Sequence, residues 1–138
     1  MKVCLKYKTS DLDKNDIKVL TDFVKFQQEN LPLNKDVNLF FVDNRDNNMT
    51  TGVRMPQSEI SVLAKGRMLI DILRTLSHEW VHEYQHQKMG VNDFSKSPDI
   101  GGPHENMANA LSGIFMKRFQ KEYPQHSEVL YCDESLKN

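Results

Sequence analysis

A chain of 138 residues is of one-domain length, enough to bury a core without disulfide staples. With 18 Lys and Arg against 19 Asp and Glu, mixed along the chain to a net charge of -1, the composition argues against a non-specific binder held to nucleic acid by phosphate neutralisation, leaving room only for a local patch. No apolar run reaches the length of a membrane helix, and the start, MKVCLKYKTSDLDK, lacks the apolar core of a signal peptide.

The expected location is therefore the cytoplasm of the producing or host cell. Cys4 and Cys132 stand near opposite ends, with no C-x-x-C pair and too few partners for a zinc cluster. They read as reduced thiols, with one terminal-to-terminal disulfide as the alternative.

In KVCLKYK, residues 2–8, Val3, Leu5 and Tyr7 alternate, which predicts a strand. Helix N-cap candidates at residues 10–13 follow. Ile17, Leu20, Phe23, Val24 and Gln27 then recur at helical spacing until Asn30-Leu31-Pro32 stops the pattern. VNLFFVD, residues 37–43, predicts a second strand, with Phe40, Phe41 and Val42 pointing to burial on both faces; NRDNNMTTG is loop by composition. GVRMPQSEISVLAKG, residues 52–66, reads as a hairpin or two short strands, and Pro56 marks an edge position. A long helix is predicted over about 67–89 with Gly90 as its C-cap. The loop VNDFSKSPDIGGP leads to a third helix over about 104–122, and the last fourteen residues read as a locally packed or frayed tail. The order β-α-β-β-β-α-α is an α+β arrangement, a small mixed sheet with three helices in a single domain spanning residues 1–138.

The chemistry concentrates in LSHEWVHEYQHQ, residues 76–87. His78 and His82 lie one turn apart, roughly 40° around the helix axis, so both imidazoles can converge on one ion. Glu79 stands next to the first of them, close to such an ion yet angled away, and free to take a proton from water activated there. Leu69, Leu73, Leu76, Trp80 and Tyr84 gather on the opposite face, with Ile70, Ser77 and Val81 at its margin. The helix can thus be held by a core on one side and present H-E-x-x-H on the other.

A catalytic zinc takes a third protein ligand. The extended motif H-E-x-x-H-x-x-G-x-x-H is absent, because Gln85 and Lys88 occupy its last two defining places. His86, one further turn along, is carried about 80° past His78 by a straight helix and reads as cleft-lining. Asp99 reads first as a turn former. Glu105, opening the next helix, is the better candidate, with Asn109 one turn on to orient it or a ligand histidine. Small residues Ala108, Ala110, Ser112 and Gly113 would let the two helices approach closely. His104 stays open between ligand, transition-state donor and plain helix-start residue.

HEWVH followed by HENMANALSGIF resembles the small zinc-dependent gluzincins of the ImmA/IrrE type, the minigluzincins. In that group H-E-x-x-H on one helix is completed by E-x-x-A-N-x-hydrophobic on the next; the matching positions are Glu105, Ala108, Asn109, Ala110 and Leu111. The resemblance covers residues 68–120. It implies a zincin-like fold, Zn2+ held by His78, His82 and Glu105, Glu79 as general base, and a short sheet whose edge strand borders the cleft. Several members are encoded by phages and mobile elements and cleave repressors or other regulatory proteins. The helix-turn-helix domain of many relatives is not seen in this sequence, which argues against a role through DNA.

The expected activity is hydrolysis of a protein substrate. Zinc would lower the pKa of water to about 7 and polarise the scissile carbonyl, and Glu79 would pass the water's proton to the leaving amine. An extended substrate would add to an edge strand, expected within SEISVLAK at residues 58–65, where Ile60, Val62 and Ala64 alternate with Ser61, Leu63 and Lys65. His104, His86 and Tyr84 are the candidates for stabilising the oxyanion. Two readings compete: a catalytically silent zincin-like protein that binds metal and a partner, and an SprT-like protease, whose basic or zinc-ribbon extension is not seen here. An RNA hydrolase built on H-x-x-x-H-x-x-x-x-x-H fails on spacing, since His86 falls short of the last position.

Overall fold

The first alternating stretch and the helical pattern after it are realised as β1 (Val3–Lys8) and α1 (Lys14–Asn30). In this computed structural model the chain is described over residues 2–43, 52–55, 59–90 and 102–132. Asp13 starts α1 through a capping box: its carboxylate accepts the Asp16 amide at 2.9 Å, and the Asp16 carboxylate accepts the Asp13 amide at 3.1 Å. Leu31 ends the helix, as the Leu-Pro signal predicts.

β2 (Val37–Val42), β3 (Gly52–Met55) and β4 (Glu59–Leu63) complete a four-stranded sheet of order β1-β2-β4-β3. β1, β2 and β4 run parallel, and β3 is antiparallel to β4. The expected edge strand at residues 58–65 is therefore corrected: β4 is hydrogen-bonded on both sides, and the edges are β1 and β3. The alternation did identify the right rows, because Ile60, Val62 and Ala64 are buried while Ser61 and Leu63 are half-buried and Lys65 is exposed. Alternation tells which face a residue takes; it does not tell which strand lies alongside. The expected burial of β2 on both faces is also corrected. Val37, Leu39 and Phe41 face the core, while Phe40 is half-buried beneath the ammonium groups of Lys6 and Lys8, 5.5 and 5.1 Å from its ring centre. Lysine stems can cover an aromatic ring while their charged ends stay in water.

α2 (Leu69–Met89) and α3 (Pro103–Glu122) follow. α2 begins two residues later than the pattern predicts, because Arg67 is a clasp rather than a helix residue. Its guanidinium donates to the carbonyls of Leu63 and Asp71, both at 3.0 Å, and to Thr75 Oγ1 at 2.9 Å, tying the end of β4 to the first turns of α2. Gly90 closes α2 with φ of +73°, the left-handed conformation glycine adopts without strain.

The core joins the inner sheet face to α1, α2 and α3. Phe23 and Phe119 meet edge to face at 5.0 Å, with Phe26 alongside. The expected tail is in part an ordered cap: Pro124–His126 form a 3-10 turn, Ser127–Leu130 form α4, and Leu130 is fully buried. His126 Nε2 lies 2.8 Å from Asp22 Oδ2, fastening this segment to α1. Cys4 and Cys132 are both half-buried, and no disulfide joins them. Among the described residues no helix is long and apolar enough to cross a membrane.

Trp80 is wholly buried on α2, and its indole N–H donates to the Leu31 carbonyl at 2.9 Å, stapling α2 to the end of α1. Trp80→Phe leaves that carbonyl without its donor and the ring site underfilled. The expected loss is about 2–4 kcal/mol, read from the urea midpoint; an unchanged midpoint would mean the staple carries no stability.

A candidate metal centre between two helices

α2 is anchored by Leu69, Ile70, Ile72, Leu73, Leu76, Trp80 and Val81, all buried, which leaves His78 and His82 on the side turned to α3. α3 starts with Gly102 as N-cap and Pro103 in the first turn, where the missing amide hydrogen costs nothing. Glu105 sits in that first turn, favoured by the positive end of the helix dipole. Contacts run from Gln85 to His104 and from His78 to Asn109, so the helices are antiparallel. Of the small residues expected between them, Ala108 and Ser112 are buried; Ala110 and Gly113 are exposed, on the outer side of α3.

His78, His82 and Glu105 come together as a group whose ligand atoms lie within 4.8 Å of one another. His78 Nε2 is 3.2 Å from His82 Nε2 and 3.2 Å from Glu105 Oε2, and His82 Nε2 is 2.7 Å from Glu105 Oε1. Ligand bonds of about 2.0–2.1 Å around tetrahedral zinc give ligand-to-ligand edges of about 3.3 Å. The two imidazole nitrogens stand at about that spacing, and the carboxylate meets them through different oxygens, Oε2 toward His78 and Oε1 toward His82. Glu105 has room to adjust, since 26% of its side chain is exposed against 8% for His82.

The fully buried Gln85 stands behind this group. Its Nε2 donates to the His104 carbonyl at 3.0 Å, and its Oε1 lies 2.9 Å from His82 Nδ1. A carbonyl can only accept, which sets the amide's orientation; the oxygen facing His82 then requires that Nδ1 carry the hydrogen. In its neutral form His82 would then point the Nε2 lone pair at the Glu105 carboxylate and the His78 ring. Acceptors converging in this way suit a shared proton or a divalent ion between them.

Burial, reinforced by the neighbouring His82 ring, holds His78 below the ordinary imidazole range, against the opposing pull of Glu105 and the hydrogen bond to Asn109. Asn109 thus holds His78 by a side-chain hydrogen bond. Glu79 is half-buried beside His78 on α2. His86 and His104 are half-buried and stand outside the three-residue group, and His104 contributes its main-chain carbonyl. Tyr84 is half-buried and packed on the core. Asp99 lies outside the described residues.

Sequence reasoning noted Gln85, as a departure from the longer motif and as the Gln of H-E-x-x-H-x-x-Q, but gave it no role. The signal was present in its spacing, three residues after His82 and seven after His78, which continues the ligand face of the helix. Comparison of the chain with models of protein families, with curated proteins and with solved structures finds no match.

Proposed function

We propose that the chain is a zinc-dependent peptidase of the zincin type, similar to the minigluzincins, acting on a protein substrate. The observation that carries the reading is the convergence of two imidazole nitrogens and one carboxylate from α2 and α3, their ligand atoms within 4.8 Å of one another, with the ring hydrogen of His82 turned toward Gln85. Two histidines and a carboxylate are a donor set that zinc accepts, and three protein ligands leave its fourth position open.

When bound, zinc supplies a Lewis acid that polarises a carbonyl and makes water a nucleophile at neutral pH. The chain's own residues then divide the work. His78, His82 and Glu105 hold the ion. Glu79 accepts a proton from the attacking water and delivers it to the amine nitrogen as the C–N bond breaks, so water is consumed and one acid and one amine are formed. Extended substrate is assigned to the outer edge of β3, which is the border of the sheet on that side among the described residues.

The test is zinc content by elemental mass spectrometry together with digestion of a proteome-derived peptide library. About one zinc per chain and cleavage abolished by a chelator are expected. Zinc without cleavage overturns the peptidase reading and leaves a metal-binding protein; a folded chain that neither carries nor takes up zinc overturns both.

A further inference from the structure

We propose that Gln85 is the positioning residue of this site: one buried amide sets which nitrogen His82 presents and holds the helix end that carries Glu105. The inference rests on the reading of His78, His82 and Glu105 as metal ligands, and assigns the side chain that makes them competent together.

Gln85 is wholly shielded from solvent, so each of its polar atoms must be satisfied within the protein. Both are. Oε1 faces His82 Nδ1 at 2.9 Å, and Nε2 donates to the His104 carbonyl at 3.0 Å. The residue itself is pinned near the end of α2, where its own carbonyl accepts the Gly90 amide. His104 is the residue immediately before Glu105, so a bond to its carbonyl places the first turn of α3 against α2 one residue from the carboxylate. His82 and Glu105, whose facing atoms are 2.7 Å apart, are thereby referred to the same amide.

A metal-binding imidazole gives up one ring nitrogen to the ion, and the partner of the other nitrogen decides which one. Were Nδ1–H to lose its acceptor, the hydrogen could move to Nε2 and occupy the position the metal needs. A glutamine that merely tied two helices would have no bearing on that choice, and this separates the two roles.

The experiment uses the full chain in three forms: wild type, Gln85→Met and Gln85→Glu. Nitrogen NMR of the metal-free protein at mildly alkaline pH reads the His82 tautomer, and competition with a chromophoric chelator reads the zinc affinity. Wild type is expected to hold His82 with hydrogen on Nδ1. Gln85→Met, similar in length but without either hydrogen bond, is expected to mix the tautomers and weaken zinc by about 10–100-fold. Gln85→Glu keeps an acceptor at Nδ1 but loses the donor to the His104 carbonyl, and is expected to restore the tautomer and only part of the affinity.

Hydrogen on Nε2 of wild-type His82 overturns the inference without recourse to any variant. So does Gln85→Met that binds zinc as tightly as wild type, while the metal reading survives. A folded wild-type chain that takes up no zinc fails the metal reading itself, and this inference with it.

Discussion

Glu105→Ala should reduce the zinc recovered with the protein from about one per chain to a trace, with the helical circular dichroism retained. Glu105 is half-buried in the first turn of α3, and its side chain is not part of the core, so the truncation leaves packing intact. A structural zinc site contributes about 10–16 kcal/mol through four ligands, or about 2.5–4 kcal/mol each if shared evenly. Losing one ligand then weakens binding by roughly 10²–10³-fold. His82→Ala should match it in zinc loss but cost more stability, because it leaves the buried Gln85 oxygen without its donor, worth about 1–3 kcal/mol. Zinc retained by Glu105→Ala would move the third ligand to His86, His104 or Asp99 and remove the gluzincin arrangement from consideration.

Glu79→Gln should separate metal binding from chemistry. Glu79 adjoins His78 on α2 yet stands outside the three-residue group, and the amide is nearly the same shape as the carboxylate. Zinc content should stay at the wild-type level. Cleavage of the peptides that wild type cuts should fall by about 10²–10⁴-fold, the usual contribution of a positioned general base. Full activity in this variant would remove Glu79 as the base. Loss of zinc in parallel with activity would make its role one of holding the site together.

Much of this arrangement could be read from the chain because the relevant signals are local. The i, i+4 spacing of His78 and His82 puts two imidazoles on one helix face whatever surrounds it, and both come out 3.2 Å apart at Nε2. Asp13 and Gly90 mark helix ends through chemistry confined to a few residues. Glu105 was legible as a candidate because it opens the next helix, and consecutive elements are usually neighbours in space. What escaped was non-local. The strand order depends on which edge pairs with which, so β4 looked like a border and lies inside. Glu83 and Gln85 have the polarity of a solvated face, yet both are fully buried, one donated to by Gln87 at 2.7 Å and the other bridging to α3. His126 carries no motif at all; its partner Asp22 lies on α1, at the far end of the chain's order.

The staple from Trp80 to Leu31 has a practical side. Trp80 is the chain's single tryptophan, and it sits between the two histidines in sequence while facing the core. Its emission therefore reports, without a label, on how the helix that carries the site is seated in the core and against the end of α1. Whether that helix melts together with the domain or ahead of it becomes a question of whether indole fluorescence and backbone dichroism share one transition. The protein thus contains its own gauge of how firmly the site is mounted.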